Sequence, residues 1–572
     1  MAMKAFYILL IAVLCHTQMF AGGSISGQVT LKSDATPLVG ANVLLKGTFR
    51  GASTDIEGKF RIDDVTAGTY TLIVSLVGHQ RETRADVVVE EGNETHADFS
   101  LTQVPVATDQ VVTTANRREQ SLEDVPVSVS VMDAAEIRYR NAYSIEDAVR
   151  YIPGVNMTGG QVNIRGSSGY SRGAGSRVLM LLDGVPFITG DTGELIFESI
   201  AVGQVDRIEV VKGASSALYG SSALGGVINI ITRPIPEVAE TYMSTSGGIY
   251  SKPTFSQWNW SGRDRYFGSV ALGHTFHVAD VGVALGLSRQ VNDGYLENSH
   301  IKRTNVYVKA KKDFASANSL TMNFGLLFQE RGQFQYWRNL DSALIPPAVQ
   351  RDDGVRSLRY FLSGSYNDAF ADNFLFTAKV LWNHNDWTNM SGHDFWAPGW
   401  DSLPNGRFSE TLGSLSNGYR LDVSATWLFN NEHTITFGVG GNYDNVTSAS
   451  KLFGSHQGWS AAFFAQDEWR LTKELALTFG GRFDVQRVGL TESGPQVNPK
   501  VALAYNPTEG TSLRASFGRG FRIPSIAEAF VALDLGGGIN ALPNTDLKAE
   551  QSNSYEVGIN QRLSDFANID LA

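Results

Sequence analysis

From Glu237 onward the chain repeats one pattern, runs in which apolar and polar residues alternate. Tyr419, Leu421, Val423, Ala425, Trp427 and Phe429 fall on one side of a run, and Arg420, Asp422, Ser424 and Thr426 on the other. The pattern restarts after Asn430-Asn431, with Ile435, Phe437, Val439 and Tyr443 opposed to Thr434, Thr436, Asn442 and Asp444. After Thr472-Lys473 it restarts again, with Leu475, Leu477, Phe479, Phe483 and Val485 against Glu474, Thr478, Arg482, Asp484 and Gln486. Period two belongs to extended strands, so each run carries one apolar and one polar face. A soluble sandwich alternates as well, but three features favour a membrane barrel. The runs reach about ten residues, the length of a spanning strand. Aromatics recur near run ends, as at Trp382, Trp387, Trp427, Phe429, Trp459 and Trp469, where interfacial girdles lie. Connections alternate between short ones (Asp313 to Asn318, Asn506 to Gly510) and long ones (Arg331 to Val355, Asn385 to Asn417, Ile523 to Ser552).

No later segment offers the ~18 consecutive apolar residues of a spanning helix. A chain that crosses a bilayer without helices must do so as a barrel, because only a closed sheet pairs every backbone group in lipid. Residues 1–21 read as a secretory signal, with Lys4 before the apolar run Ala5 to Cys15. Cys15 raises a lipoprotein alternative, which Leu14 opposes by standing where a small residue belongs. It is also the one cysteine of the chain, so no internal disulfide can form. A net charge of −11 argues against a nucleic-acid face.

Between signal and barrel lie three segments. Residues 23–103 punctuate short alternating strands with turn residues, notably Tyr70 to Val77 after Gly68, and suggest a β-sandwich. Asp55 and Glu57 precede the turn glycine Gly58, and a solvated hairpin fits them better than a metal pair. Residues 104–119 form a linker containing the β-prone run Thr108-Asp109-Gln110-Val111-Val112-Thr113-Thr114, which a partner could capture by strand addition. Residues 120–236 mix helix and strand. A strand spans Val125 to Val131, Asp133 caps a helix with Glu136 reciprocating, and Ser144 to Val149 starts a second helix that stops before Pro153-Gly154. Gly-rich strand segments follow at Val162 to Gly166, Val178 to Pro186, Val205 to Gly213 and Ala217 to Thr232.

That ordered set resembles the plug domain of the TonB-dependent outer-membrane receptors. Pro37 to Val43, Thr54 to Phe60 and Ala67 to Tyr70 resemble the carboxypeptidase-regulatory-like (transthyretin-like) domain, which implies a seven-stranded sandwich without catalytic residues. The resulting expectation is a mostly-β protein. A transthyretin-like β-sandwich precedes an α+β plug, which sits inside a transmembrane antiparallel β-barrel over residues 237–572. The resemblance implies about 22 strands, whereas the sequence counts roughly fourteen and the start of another. Gly518 to Glu528, Leu547 to Glu550 and Ser554 to Gly558 resemble a receptor motif that lies well before the family's C-terminus. The barrel is therefore expected to be incomplete in this chain.

The resemblance also implies roles. Asp109, Gln110, Val111, Val112 and Thr113 fall where the family carries its energy-coupling peptide, the TonB box. Arg165 and Lys212 match plug residues that pair with barrel glutamates, and Glu556 matches one of those glutamates. Tyr170, Arg172 and Arg177 lie at or beside plug apices that would join the extracellular loops at the substrate site, with Phe187 to Glu194 as a second apex loop. The implied partners are the TonB energy-transducing complex of the inner membrane, outer-membrane lipid, and an iron chelate or cobalamin-like solute. No phosphate loop or His-Glu-x-x-His is present in the sequence, and no constellation of catalytic residues stands out, so no enzyme, cofactor or metal is expected. The competing class is an exported β-rich binding or adhesion protein without energy-coupled transport.

Overall fold

The computed structural model describes residues 22–76, 79, 82–102, 111–142, 144–158, 161–167, 174–315, 318–334, 337–347, 353–391, 413–448, 452–489, 491–508, 510–534, 540–564 and 567–572. The signal segment, Asp109, Gln110, Tyr170 and Arg172 lie outside them. The chain divides into two units, one up to Thr108 and one from Asp109.

The first unit is a sandwich. One sheet orders Lys59–Val65, Gly23–Leu31 and Glu94–His96, with Phe99–Leu101 also on Gly23–Leu31. The other orders Gly51–Ser53, Asn42–Leu45, Gly68–Ser75 and Glu82–Val89. Ile25, Val43, Ile62, Leu72, Val74 and Phe99 close a single core between them. Among the described residues there are eight strands rather than seven, because the last is broken: Glu94–His96 and Phe99–Leu101 pair in parallel with successive parts of Gly23–Leu31. Asp55 Oδ1 accepts from the N–H groups of Glu57 and Lys59 at 2.8 Å, and Glu57 pairs with Lys59. Both carboxylates thus serve a hairpin turn.

The second unit contains a 15-stranded sheet whose spatial order follows the chain from Glu240–Tyr250 to Ala567–Leu571. All neighbours are antiparallel, and among the described residues its first and last strands are not paired with each other. Its burial is inverted relative to a soluble protein. Leu421 and Val439 are each 47% exposed, whereas the alternating Asp422 and Thr436 are 6% and 1% exposed. Apolar side chains face outward to lipid and polar ones inward to the plug, as the period-two reading requires. The strands are longer than expected. Asp353–Ala371 has 19 residues and Phe374–Ser391 has 18, so the hydrogen-bonded ladder continues past the apolar band into the rim.

The plug is built on a five-stranded sheet ordered Val129–Asp133, Val205–Lys212, Gly226–Thr232, Val178–Leu182 and Val185–Pro186. Val178–Leu182 and Gly226–Thr232 run parallel, and the Asp183-Gly184 turn (φ +49° and +85°) folds back a two-residue hairpin. Helices Ala134–Tyr139 and Ile145–Val149 pack Ile137, Ile145 and Val149 on the Met180, Ile208 and Ile228 face. The first strand starts at Val129, four residues later than expected. Pro126 has no N–H to give a ladder, and the N–H of Ser128 goes to the Glu556 carboxylate instead. Asp133 caps the first helix through the N–H of Glu136 at 2.8 Å, but Glu136 does not reciprocate. Its carboxylate pairs with Arg140 at 2.7 Å, where a full opposite charge one turn on outcompetes a neutral N–H.

The lipid-facing assignment has a direct test. Val439→Arg in mid-strand should destabilise the barrel in lipid vesicles by about 2–4 kcal/mol in urea titrations. The same change at lumen-facing Asn442 should cost less than half as much.

Candidate functional site

The segment from Val111 to Asp124 lies at the short-turn end of the barrel. Val111–Val112 pairs antiparallel with Gln120–Ser121, and Val112 is fully buried. The next two residues close on Glu209, a fully buried carboxylate on Val205–Lys212. Glu209 accepts from the N–H groups of Thr113 (3.0 Å) and Thr114 (2.8 Å) and from the Thr114 hydroxyl at 2.5 Å. Arg207 Nε balances its charge at 2.8 Å. Asn229 donates to Thr114 Oγ1 and Tyr219 to the Thr114 carbonyl. A buried carboxylate is tolerable only with such a full set of donors.

The segment is then tied to the wall. Arg117, at φ +61°, places its guanidinium between Phe464 and Tyr219, 4.3 and 4.7 Å from the ring centres. It donates to both oxygens of Asp422 at 2.7 and 2.8 Å and to the Leu218 carbonyl at 2.6 Å. Arg118 forms a two-pronged pair with Glu468 at 2.9 and 2.6 Å. Further on, Arg562 donates to Glu123 at 2.9 Å and Asn506 to Asp124 at 3.3 Å.

A second group of contacts joins Arg165 to Glu556. Arg165 also occupies the left-handed region, at φ +51°. Its guanidinium pairs with Glu556 and donates to Ser128 Oγ at 3.0 Å. Glu556 also accepts from the Ser128 N–H at 2.8 Å, and Arg514 stands 3.5 Å from it while pairing with Asp570. Lys212 lies beside Glu556 in the lining of one small cavity, but among the described residues its ammonium makes no ion pair. Burial and the nearby Arg165 push that ammonium's pKa down, against the pull of Asp570 and Glu556.

At the long-loop end, Arg177 grips Glu550 in a two-pronged pair at 2.9 and 2.7 Å. Glu550 is shared with Arg522, which also holds Glu528 of the short helix Ile526–Phe530. Gly175 (φ +71°) threads this clasp, where an added Cβ would come within 2.4 Å of Arg522. In the other apex loop, Asp191 is fully buried and accepts from Trp387 Nε1 at 2.8 Å. The sequence reading did not single out Glu209, the Arg117–Asp422 pair or the Arg118–Glu468 pair. The adjacent arginines after the β-prone run were the available signal, together with the inward parity of Asp422.

Family comparisons agree with this architecture. The TonB-dependent receptor-like β-barrel family matches residues 232–572, the TonB-dependent receptor plug domain matches 121–227, and the CarboxypepD_reg-like domain matches 25–113. The chain belongs to the TonB-dependent receptor family and, with it, to the bacterial outer membrane. It is 26% identical to the iron-regulated outer membrane virulence protein of Vibrio cholerae, over 78% of this chain and 65% of that relative. It is 28% identical to the hemin receptor of Yersinia enterocolitica, over 82% and 69%. With the vitamin B12 transporter BtuB of V. cholerae it shares 26%, over 78% and 67%. The chain thus spans about two thirds of the length of these relatives. The siderophore receptor PirA from Pseudomonas aeruginosa has the same fold, with a TM-score of 0.59 at 20% identity over 78% of this chain and 72% of PirA.

Two predictions follow from the buried charges. Arg117→Ala leaves Asp422 buried and unpaired, and should loosen the Val111–Ser121 segment by about 3–5 kcal/mol, read as faster amide exchange there. Glu146, on the second plug helix, has a pKa raised to about 7 by burial and by Glu198, against the pull of Arg303. Its ordinary value is 4.5, so the folded plug retains a proton that the unfolded chain has released. Plug stability should therefore fall as pH rises from about 4.5 to about 7, and Glu146→Gln should flatten that slope in thermal denaturation.

Proposed function

We propose that this chain is the receptor part of an energy-coupled outer-membrane transporter for a scarce, large solute, an iron chelate or cobalamin, and not an enzyme. The observation that carries this reading is the tethering of the segment just after Val112. It sits at the short-turn, periplasmic end, bonded through Thr113 and Thr114 to the central plug sheet and through Arg117 and Arg118 to the wall. In this reading Asp109 to Thr113 is the peptide drawn by the TonB complex. The pull is passed to Glu209 of the central plug sheet through Thr113, which ends the peptide, and Thr114, which follows it. Their bonds can be exchanged for water one at a time, so local release does not require unfolding the plug.

Within the same reading, Arg165 and Glu556 seal the plug against the wall and part during transport, with Lys212 as a neighbouring charge. Tyr170 and Arg172 contribute to the solute site. Arg177 shares that role through its grip on Glu550, which links the plug to the loop helix Ile526–Phe530. The relatives bearing hemin-receptor and vitamin B12-transporter names support a solute of this size class.

Deletion of Asp109 to Thr113 should leave solute binding to whole cells intact and abolish energised uptake, measured with radiolabelled iron chelates and cobalamin. Uptake that persists without the peptide would favour a passive or adhesive protein.

A further inference from the structure

Lys500 is a wall cation with no carboxylate of its own. It stands on Thr491–Thr508, is 7% exposed, and reaches over Gly480 on the intervening strand to Gln466. Its ammonium donates to Asn116 Oδ1 at 3.2 Å, to the Ala115 carbonyl at 3.4 Å and to Gln466 Oε1 at 3.5 Å. All three acceptors are neutral, and among the described residues no carboxylate lies within ion-pair reach of it. A buried ammonium is costly unless a full negative charge meets it. Two of its three bonds go to the segment that follows the energy-coupling peptide, so they last only while that segment is in place.

Glu468 stands in the complementary position. It lies on Ser455–Arg470, two residues beyond Gln466 and on the same face. Its side chain is 12% exposed, and both its oxygens are taken by Arg118, at 2.9 and 2.6 Å. Withdrawal of residues 115–118 would strip Lys500 of Ala115 and Asn116, and Glu468 of Arg118, in one movement. The opposite charges freed by that movement are near each other. Two strand spacings and two residues put their Cα atoms about 12 Å apart, a gap that a lysine and a glutamate side chain close by extending toward each other. Lys500 also borders a cavity of about 20 Å³, which leaves its ammonium room to turn. Glu556 borders the same cavity but is already bound to Arg165 and the Ser128 N–H. Arg470 shares the face of Glu468, but it is exposed at the short-turn end, where water already solvates it.

We propose that Lys500 is the replacement counter-ion of Glu468: when Arg118 leaves, Lys500 swings from the segment to the wall carboxylate. This rests on the receptor reading above and names how one of its ties is exchanged. The Lys500–Glu468 pair exists only in the drawn state. It spares the wall an unpaired, nearly buried carboxylate at the moment of withdrawal, which is the expensive way to break such a pair. It also holds the drawn state until Arg118 returns. The guanidinium, with its two-pronged fit, then reclaims Glu468, and Lys500 goes back to Ala115 and Asn116. Glu468 thus has a cation in both states.

Carbodiimide joins an amine to a carboxylate where the two touch, and with peptide mass spectrometry it tests this on the purified full-length chain in detergent. The Lys500–Glu468 cross-link should be absent from resting wild type. It should appear in R118Q and, as an independent removal of the guanidinium, in a chain lacking Asp109 to Arg118. K500M and E468Q should each abolish it. No cross-link in either variant, or an equal yield in resting wild type, overturns the exchange and leaves Glu468 to Arg470 or to water. Uptake of whichever radiolabelled probe wild type accumulates, cyanocobalamin or ferric enterobactin, gives a readout whose sign separates exchange from a merely structural tie. A tie alone would let K500M release the segment more easily and transport no more slowly. The exchange requires K500M to slow peptide-dependent uptake several-fold with solute binding unchanged, and K500R to transport as wild type does. Unimpaired uptake in K500M overturns the role. Uptake that persists after deletion of Asp109 to Thr113 would remove the receptor reading, and the cross-link in R118Q would still establish the pair.

Discussion

A backbone amide in hydrocarbon has only another backbone amide to bond, and this one constraint orders the second unit. It forces the chain into a continuous antiparallel ladder of long strands and sends apolar side chains outward. It also leaves the interior polar. A plug lodged in a polar lumen cannot be held by hydrophobic burial alone, so the wall must hold it by ion pairs and hydrogen bonds. Arg117 on Asp422, Arg118 on Glu468, Arg165 on Glu556, Arg177 on Glu550 and Glu198 on Arg359 are those ties. They are spread round the described sheet and from its short-turn end to its mouth.

Two of these arginines share a backbone feature. Arg117 and Arg165 both lie in the left-handed region, at φ +61° and +51°, where a non-glycine residue costs about 1–3 kcal/mol. Each is held there by contacts on several sides. Arg117 has the two oxygens of Asp422, the Leu218 carbonyl and two aromatic faces. Arg165 has Glu556, Ser128 Oγ and its own N–H on the Gly154 carbonyl at 2.8 Å. The conformation survives because the pair is made. Loss of either carboxylate would therefore remove both a charge partner and the reason for the turn.

The division between what the sequence disclosed and what it hid follows from the range of each interaction. Which side of a strand faces the lumen is local information. Arg420 and Asp422 could be placed on the polar face from six neighbouring residues, and both are buried inside the sheet. The apolar alternation that marked the barrel is likewise contained in each run. Partnerships are not local: 305 residues separate Arg117 from Asp422 and 391 separate Arg165 from Glu556. Arg165 and Glu556 could be named only because the family resemblance supplied them. Glu209 is one of four charged residues in the strand Val205–Lys212, and its meaning depends on Thr113 and Thr114 arriving from 95 residues or more away. Glu136 failed in the other direction. Its spacing from Asp133 fits a reciprocal cap, but Arg140 lies on the same helix face and carries a full charge.

The wall touches the plug in two physically different ways. Tyr307, Phe361 and Leu381, on three of the wall strands, join the apolar core of the plug, with Phe187 edge-on to Phe361 at 5.0 Å between ring centres. Phe464 does the same for the smaller cluster around Leu179 and Val227. Apolar contact is lost in proportion to area exposed and has no substitute partner in water. An ion pair near water can be replaced by hydration or by another ion, and is individually worth about 0–1 kcal/mol where solvated. A plug held by both kinds of contact keeps its place through the aromatic bearings while its charged ties exchange. The charged ties occur at both ends of the lumen, at Arg118 and Glu468 near the short turns and at Arg359, Glu194 and Glu198 near the mouth. Events at either end can therefore loosen the plug locally without first dislodging its aromatic seat.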